Sequence, residues 1–416
     1  MITLNGLTLA SVICIWSLLF INITLIVAGY IYYVKCENMK IGDLEKYPMI
    51  SVMVPAHNEA VVISRTVESL LRFNYPPDKY EIIVINDNST DNSAELLDGI
   101  QKKNPGRNLK VISTDAKTGG KGKSNALNIG YKYCTGEYIA IYDADNTPDR
   151  DALRYLADVI VNDDSLGAVI GKFRTRNKEV NLLTRFINIE TLAFQWMAQA
   201  GRWQLFKLCT IPGTNFIIRR SILDEIGGWD IHALAEDTEI SFRIYRMGYH
   251  IQLIPQAVTW EQEPQTLKVW FRQRTRWVKG NIYVLIKNLP LLFKKGTGIV
   301  RFDIFYYFSV YFLLLISLVT SDVLMIGNMI GWVHTTLAGF STLLWIMAIV
   351  LFVVGTYITI STEKGEMRIS NLFCIILMYF TYSKLWMFVT AYGFFKYFQD
   401  VIFKKEEKWY KTERFA

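Results

Sequence analysis

The stretch that decides the fold is IAIYDADNTPD, residues 139–149. A run of strand-forming residues ends here in Asp143 and Asp145, which are separated by a single residue. Two carboxylates at the end of a buried strand repel each other unless a cation lies between them. Such oxygen ligands suit Mg²⁺ or Mn²⁺. The alternative is that both residues only form the turn before a helix that begins near Asp149.

Three similar runs precede this one, and together they predict a parallel sheet. The predicted strands are MISVMVP (49–55), EIIVIND (81–87), LKVIST (109–114) and YIAIYDAD (138–145), with helices over 60–72, 90–103 and 123–133. This alternation is typical of an α/β doubly wound, Rossmann-like domain. Ligands of such sheets bind at the carboxyl ends of the strands. Those ends carry Pro55, His57, Asn58, Glu59, Asp87, Asp143 and Asp145, which we expect to share one crevice.

Several common site types are excluded by spacing. VPAHNEA follows the first strand where a dinucleotide fold would have GxGxxG. TGGKGKS (118–124) lacks the Walker A spacing, because only two residues separate Gly119 from Gly122. The five cysteines are scattered, which indicates neither a disulfide framework nor a zinc site. We attribute the net charge of +7 to membrane orientation and expect no nucleic-acid partner.

Long apolar segments flank the predicted domain in this chain of 416 residues, 51% of which are hydrophobic. Residues 7–34 carry no charge and exceed the ~20 residues that cross a bilayer. Further spans are predicted over 302–325, 338–361 and 372–395, the last with Lys384 inside it. The expected divisions are 1–48 (first span and linker), 49–264 (central α/β domain), 265–300 (amphipathic interface helix), 301–395 (spans) and 396–416 (basic tail).

The distribution of basic residues predicts the orientation in the membrane. Lys35, Lys40 and Lys46 place the central domain on the cytoplasmic side of the plasma membrane. The basic tail, with Lys396, Lys404, Lys405, Lys408, Lys411 and Arg414, should lie on the same side, which requires an even number of later crossings. The three clear spans give an odd number. Either 321–334 adds a short crossing or one span is re-entrant.

An ordered set of motifs resembles the inverting family 2 glycosyltransferases with the GT-A fold. The motifs are VPAHNEA (54–60), INDNSTD (85–91), GKGKSNALNIG (120–130), YDADN (142–146), PGTNFIIRR (212–220), GGWD (227–230), AEDTE (235–239) and QRTRW (273–277). The resemblance covers residues 49–281 and the flanking spans. It is greatest to the processive membrane synthases of cellulose or mixed-linkage β-glucan, poly-N-acetylglucosamine and hyaluronan.

The resemblance implies roles at the donor end of the site. Pro55, Asn58, Glu59 and Asp87 would line the nucleotide pocket, with Asp87 reading the uracil. Lys123, or less readily Lys121, would meet the nucleotide or its phosphates. Asp143 would lie against sugar and nucleotide, and Asp145 would be the more direct metal ligand, with Asp143 beside it. Loop and helix-cap chemistry is the alternative for Asn58, Glu59 and Asp87.

AEDTE places Glu236 and Asp237 at the start of a helix. By the resemblance, Asp237 is the general base that deprotonates the acceptor hydroxyl, with Glu236 beside it in the catalytic group. A helix N-terminus lowers the pKa of a carboxylate, so a neighbouring acid or an apolar wall would have to raise it. Ala235 stands where the family motif has threonine.

QRTRW lies in a basic amphipathic segment that, taken alone, predicts a helix on an anionic membrane surface. By the resemblance, Gln273, Arg276 and Trp277 form the acceptor end: Arg276 neutralises the leaving diphosphate and Trp277 supports a sugar ring. Gly213 allows close backbone approach, and Thr214 and Asn215 would bind the acceptor. The segment 181–208 is a second amphipathic stretch that favours docking on the membrane.

The expected activity is therefore polymerisation of a UDP-hexose with inversion, Mg²⁺ or Mn²⁺ as cofactor, and export of the polysaccharide through the chain's own helices. UDP-glucose and a β-glucan product are slightly favoured. The alternatives are a poly-N-acetylglucosamine-type synthase that uses UDP-N-acetylglucosamine, or transfer of one sugar to a lipid. Expected partners are the donor, the growing polysaccharide, membrane lipids, and accessory export proteins or a second copy of the chain.

Overall fold

The computed structural model describes residues 2–40, 42, 44–294, 298, 300–332, 338–403 and 413–414. Lys404, Lys405, Lys408 and Lys411 of the predicted basic tail, and residues 333–334 of the proposed extra crossing, lie outside these described residues.

Eight strands form one mixed sheet. They are β1 (Ile50–Ala56), β2 (Tyr80–Asp87), β3 (Leu109–Thr114), β4 (Tyr138–Ile141), β5 (Thr147–Pro148), β6 (Leu166–Thr175), β7 (Phe216–Arg219) and β8 (His250–Glu261), in the spatial order β3-β2-β1-β4-β7-β6-β8-β5. The first four predicted strands are confirmed, and they pair in parallel. β7 is antiparallel to both β4 and β6, so the sheet is not wholly parallel.

The helices around the sheet and beyond it are α1 (Ile2–Glu37), α2 (Ile63–Leu70), α3 (Ser93–Lys103), α4 (Lys123–Tyr131), α5 (Ala152–Asn162), α6 (Leu182–Ala193), α7 (Arg202–Phe206), α8 (Arg220–Ile226), α9 (Glu236–Arg246), α10 (Leu267–Asn288), α11 (Val300–Phe308), α12 (Leu314–Met329), α13 (Ala338–Ser361), α14 (Ile369–Phe380) and α15 (Tyr382–Ile402). A π-helix, Phe194–Gly201, joins α6 to α7, and another, Ser309–Leu313, joins α11 to α12. A short 3₁₀ helix, Leu289–Leu292, follows α10.

The end of β4 differs from the sequence prediction. The strand was predicted to continue to residue 145, but it ends at Ile141. The amide of Asn146 donates to the carbonyl of Asp143 at 3.1 Å, so the acidic pair lies in a turn. A turn frees both aspartate side chains from the alternation of a strand, which would send residues i and i+2 to the same face.

The segment 181–208 packs against the first helix. Gly29 of α1 meets the π-helix so closely that a Cβ there would lie 2.0 Å from the carbonyl oxygen of Trp196. A Cβ on Gly201 would likewise lie 2.2 Å from the carbonyl oxygen of Leu25. This segment therefore connects α1 to the catalytic domain, since any larger residue at these two glycines would separate the backbones.

Two helices among the described residues are long and apolar enough to cross a membrane, Asn5–Glu37 and Ile369–Ile402. Two further apolar helical stretches, Leu315–Asn328 and Trp345–Ser361, are shorter.

The loop between α13 and α14 is bound to the catalytic domain. Glu363 accepts from Lys172 of β6 at 2.5 Å and from the indole nitrogen of Trp196 at 3.0 Å. The 300–361 segment therefore leaves the domain and returns to it. Because charged partners hold both Glu363 and Glu366 in buried positions, this attachment is specific.

The 369–402 segment also begins and ends against the domain. Near its start, Asn371 accepts from Arg185 of α6 at 2.9 Å, and near its end Asp400 accepts from Lys279 of α10 at 2.7 Å. Both ends of this segment therefore contact the domain.

Candidate active site

A cleft of about 1330 Å³ opens at the carboxyl ends of β1 and β4, beneath α10. Side chains and backbone from five motifs that are separate in sequence line this cleft. They include Lys123, Asp143, Asp145, Gly213, Thr214, Glu236, Asp237, Gln273, Arg276 and Trp277. This is the edge of the sheet at which the sequence analysis placed the ligand.

The two aspartates of the turn face different cations. The Oδ1 atom of Asp143 lies 2.6 Å from the Nζ atom of Lys123. The Oδ2 atom of Asp145 lies 2.7 Å from the Nη1 atom of Arg414. Within the described part of the chain, no three or more His, Cys, Asp or Glu residues are grouped as a metal site. A metal here would thus need ligands from the substrate as well as from protein carboxylates.

Lys123 joins the acidic turn to the catalytic helix. Its Nζ atom lies 3.2 Å from Oε1 of Glu236 and donates to the carbonyl oxygen of Gly213 at 2.8 Å. Burial lowers the pKa of this amine, but Asp143 and Glu236 outweigh burial and raise it above its ordinary value. Lys123 is therefore a fixed positive charge in the cleft.

Asp237 lies in the first turn of α9 and keeps part of its surface accessible in the cleft. Its Oδ1 atom accepts from the backbone amide of Thr238 at 2.7 Å. Burial and the negative charge of Glu236 raise the pKa of Asp237 to about 7, although Lys123 opposes them. A carboxylate with this pKa can take a proton near neutral pH.

The loop 212–215 forms the floor below Asp237. Gly213 has φ +85°, a backbone conformation that glycine adopts without strain. The hydroxyl of Thr214 accepts from the amide of Asp143 at 3.0 Å and lies 3.0 Å from Oδ1 of Asn146. Thr214 therefore fixes the acidic turn.

Asn215 does not fit its predicted role at the acceptor. Its side chain is fully buried, and its amide nitrogen donates to the carbonyl oxygens of Lys172 at 3.1 Å and Ala257 at 2.8 Å. These bonds connect β6 and β8 behind the cleft, so the side chain is not available to a ligand.

Of the predicted nucleotide residues, Lys123 and Asp143 line the cleft, whereas Pro55, Asn58, Glu59 and Asp87 lie beside it. Among the described residues that line the cleft, only His57 comes from the segment after β1. Asp87 is buried at the end of β2, and its carboxylate accepts from the amide of Gly120 at 3.1 Å and from the hydroxyl of Thr114 at 2.8 Å. Asn58 has φ +56° and accepts from the amide of Thr90 at 2.6 Å.

The remaining two members of that group are buried. Pro55 lies in β1 and Glu59 in the loop that follows this strand, where Oε2 of Glu59 is 3.7 Å from Nε of Arg414. The structure brings these residues to one sheet edge, and the roles implied for them stay predictions.

The acceptor motif lies on α10, across the cleft from Asp237. Among the described residues, no hydrogen bond or ion pair engages the guanidinium of Arg276. Burial lowers its pKa, while Glu236 and Asp143 oppose that effect. Trp277 is 40% exposed, and its ring lies 3.8 Å from the guanidinium carbon of Arg274. Gln273 accepts from Arg274 at 2.8 Å.

Sequence reasoning missed several groups that line the same cleft. Arg414 reaches Asp145 from the end of the chain, and no local pattern indicated that contact. Glu261 and Glu263 face each other in the cleft wall, and burial raises the pKa of both carboxyls. For Glu190 the sequence did offer a signal, because it is the only acidic residue in the segment 181–208.

Comparisons with known proteins agree with this architecture. A family profile described as "Glycosyltransferase like family 2" matches residues 48–280. A probable glycosyltransferase, YdaM of Bacillus subtilis, is 46% identical over 414 residues, covering 99% of this chain and 98% of the relative. A poly-beta-1,6-N-acetyl-D-glucosamine synthase of Staphylococcus aureus is 32% identical over 270 residues, or 63% of each chain.

Among solved structures, a mannosyltransferase of Pyrobaculum calidifontis in complex with GDP-Man and Mn²⁺ aligns with a TM-score of 0.61. The alignment covers 90% of this chain and 98% of that one at 19% identity, so it supports the fold alone.

Proposed function

Because the chain belongs to the family 2 glycosyltransferases, we propose that it is a membrane-embedded, inverting synthase that transfers hexose units from a UDP-sugar to a growing β-linked polysaccharide. The observation that carries the proposal is the position of Asp237, whose pKa is raised to about 7, in one cleft with Lys123, Arg276 and Trp277.

The donor diphosphate would lie between the acidic turn and α10. Lys123 and Arg276 bring positive charge to the two sides of this space. Fixed cations of this kind stabilise the charge that develops on a leaving diphosphate. Arg276 is suited to this task, because a guanidinium binds phosphate oxygens in pairs and this one has no competing partner in the described structure.

The residues of the turn fit a divalent metal. Asp145 and Asp143 offer hard oxygen ligands, and Mg²⁺ is commonly held by one or two carboxylates together with substrate phosphates. The guanidinium of Arg414 on Asp145 shows that this position accommodates a cation. When bound, Mg²⁺ or Mn²⁺ would neutralise diphosphate charge.

Asp237 would accept the proton of the acceptor hydroxyl. The oxygen of that hydroxyl forms a bond to the anomeric carbon as the bond from this carbon to the diphosphate breaks on the opposite face, which inverts the configuration. Glu236 raises the pKa of the base, and Lys123 prevents the pKa from rising further. With a pKa of about 7 the base is about half ionised at neutral pH, so it can accept a proton there.

Trp277 would support the acceptor sugar. Its ring is partly exposed toward the cleft and offers an apolar face to the C–H groups of a pyranose. The long apolar helices on both sides of the domain support an exit through the membrane and a cytoplasmic catalytic domain. The number of times that these helices cross the membrane is also part of this proposal.

The identity of the transferred sugar is the most detailed part of the proposal. The sequence motifs fit both glucose and N-acetylglucosamine, with glucose slightly favoured, whereas the relatives named as poly-N-acetylglucosamine synthases favour N-acetylglucosamine. UDP-N-acetylglucosamine is therefore the first donor to test and UDP-glucose the second.

The experiment is a donor screen with the purified full chain in detergent and Mn²⁺ or Mg²⁺. UDP release is measured for each UDP-hexose, with the Asp237→Asn variant in parallel. We expect one UDP-sugar to release UDP well above the level of the variant. Equal release from the wild type and the variant for every donor contradicts the proposal.

A further inference from the structure

A carboxylate outside the family motifs connects three helices at the acceptor end of the cleft. Glu190 of α6 accepts from Nη2 of Arg274 at 2.8 Å and from the hydroxyl of Tyr382 at 2.7 Å, both at Oε2. Its Oε1 atom accepts from the indole nitrogen of Trp386 at 2.5 Å. One side chain thus connects α6, α10 and α15.

These bonds determine where two aromatic rings stand. Arg274 is almost fully buried, and its guanidinium stacks 3.8 Å from the ring of Trp277. Trp386 packs edge-on against Trp270 at 6.1 Å, and its only indole hydrogen goes to Glu190. Both Trp277 and Trp386 line the cleft.

Resting on the proposed function, we infer that Glu190 is a positioning residue that holds Trp277, through Arg274, and Trp386 in place as an aromatic binding surface for the acceptor oligosaccharide. The planar guanidinium is fixed by its carboxylate partner, and its flat face in turn fixes the indole of Trp277. Two aromatic rings held in this way can contact two sugar units of one chain.

Another carboxylate near Arg274 would not hold it in the same position as Glu190 does. If Glu190 loses its charge, Arg274 remains buried, and Glu263 is the other carboxylate that acts on it. Glu263 lies on the loop after β8, where Asn177 holds its backbone on both sides at 2.8 and 2.9 Å. Arg274 would turn toward Glu263 and away from the ring of Trp277.

The test measures binding of N-acetylglucosamine pentamers, one β-1,4-linked and one β-1,6-linked, to the full chain by calorimetry, together with donor hydrolysis in the absence of acceptor. Glu190→Gln should weaken binding of the preferred pentamer about 10- to 100-fold, the scale of a misplaced binding group. Its UDP release in the absence of acceptor should fall much less than its pentamer binding, since Glu190 bonds to residues of the acceptor end.

The matched control is Glu179→Gln, an exposed carboxylate whose ion pair with Arg368 lies at 3.3 Å. This variant should bind the pentamer as the wild type does. In the Trp277→Ala background, Glu190→Gln should reduce pentamer affinity much less than it does in the wild type, since part of its effect depends on the ring of Trp277.

Three results would overturn the inference: unchanged binding in Glu190→Gln, equal losses of pentamer binding and donor hydrolysis, or no pentamer binding by the wild type. These are distinct from failure of the proposed function, which appears as absence of UDP release from every UDP-sugar even when pentamers bind.

Discussion

The carboxylate of Asp237 lies against the bare Cα of Gly213, so that a Cβ at position 213 would stand 2.7 Å from its Oδ2 atom. The candidate base therefore contacts the loop 212–215 at a position where only glycine leaves room for the carboxylate. The carbonyl oxygen of Gly213 accepts a hydrogen bond from Lys123, which also forms an ion pair with Asp143 of the acidic turn.

Gly213→Ala should reduce activity by displacing Asp237. The new methyl group would meet the carboxylate, and the backbone at φ +85° would be strained by about 1–2 kcal/mol. We expect kcat to fall at least about tenfold while the chain still folds, as measured by UDP release and thermal unfolding. Gly106→Ala is the control, because a Cβ there meets open space. Equal activity of the two variants would argue against the contact.

The pH dependence of kcat/KM should show an acidic limb near pH 7. The pKa of Asp237 is raised to about 7 by burial, Glu236 and Asp143, against the effect of Lys123. Because the base must be unprotonated, kcat/KM should fall roughly tenfold for each pH unit below this pKa and level off above it. A steady-state pH profile checks this. A limb near pH 4 would mean that Asp237 is not the base.

Lys123→Gln should shift that limb to higher pH. Removal of the amine takes away the positive charge that lowers the pKa of Asp237, and it leaves Asp143 and Glu236 without their shared partner. The KM for the donor should also rise. Lys121→Gln, a neighbouring lysine in the same loop, provides the comparison. If Lys121→Gln produces the larger effect, the choice of Lys123 as the phosphate residue is wrong.

Arg414→Ala should increase the affinity for Mn²⁺. The guanidinium now occupies Asp145 at 2.7 Å, so a metal that uses this carboxylate must displace it. We expect Kd for Mn²⁺ without nucleotide to fall by a few-fold, up to about tenfold, as the competing cation disappears. Electron paramagnetic resonance of free Mn²⁺ measures this, with the exposed Arg246→Ala as control. Unchanged or weaker Mn²⁺ binding in Arg414→Ala would contradict the assignment of Asp145.

Much of the fold followed from local patterns. The strands β1 to β4 were predicted within a few residues because buried parallel strands are short apolar runs bounded by turn residues. The end of β4 was misplaced because periodicity does not distinguish the last strand residues from an acidic turn. Pairing of the later strands was not predicted, since an antiparallel insertion such as β7 leaves no local mark.

The candidate site could be predicted from the sequence where its residues belong to motifs. The prediction failed where the site depends on contacts between residues far apart in sequence. Asp143, Asp237 and Arg276 meet in one cleft as expected. The contact of Arg414 with Asp145 joins residues far apart in sequence, and the burial of Asn215 depends on the packing of two strands. The acids of the loop 362–368 did offer a signal, because charges between two apolar segments require partners.

The central claim is inverting, Asp237-dependent transfer to a growing chain, and the most direct measurement is the anomeric configuration of the product. The purified full chain is incubated with isotope-labelled UDP-N-acetylglucosamine or UDP-glucose, and the high-molecular-weight product is analysed by NMR. We predict β-linked polymer from the α-linked donor, with Asp237→Asn reducing its rate about 10²–10⁴-fold. An α-linked product, or β-linked polymer made at an undiminished rate by Asp237→Asn, would contradict it.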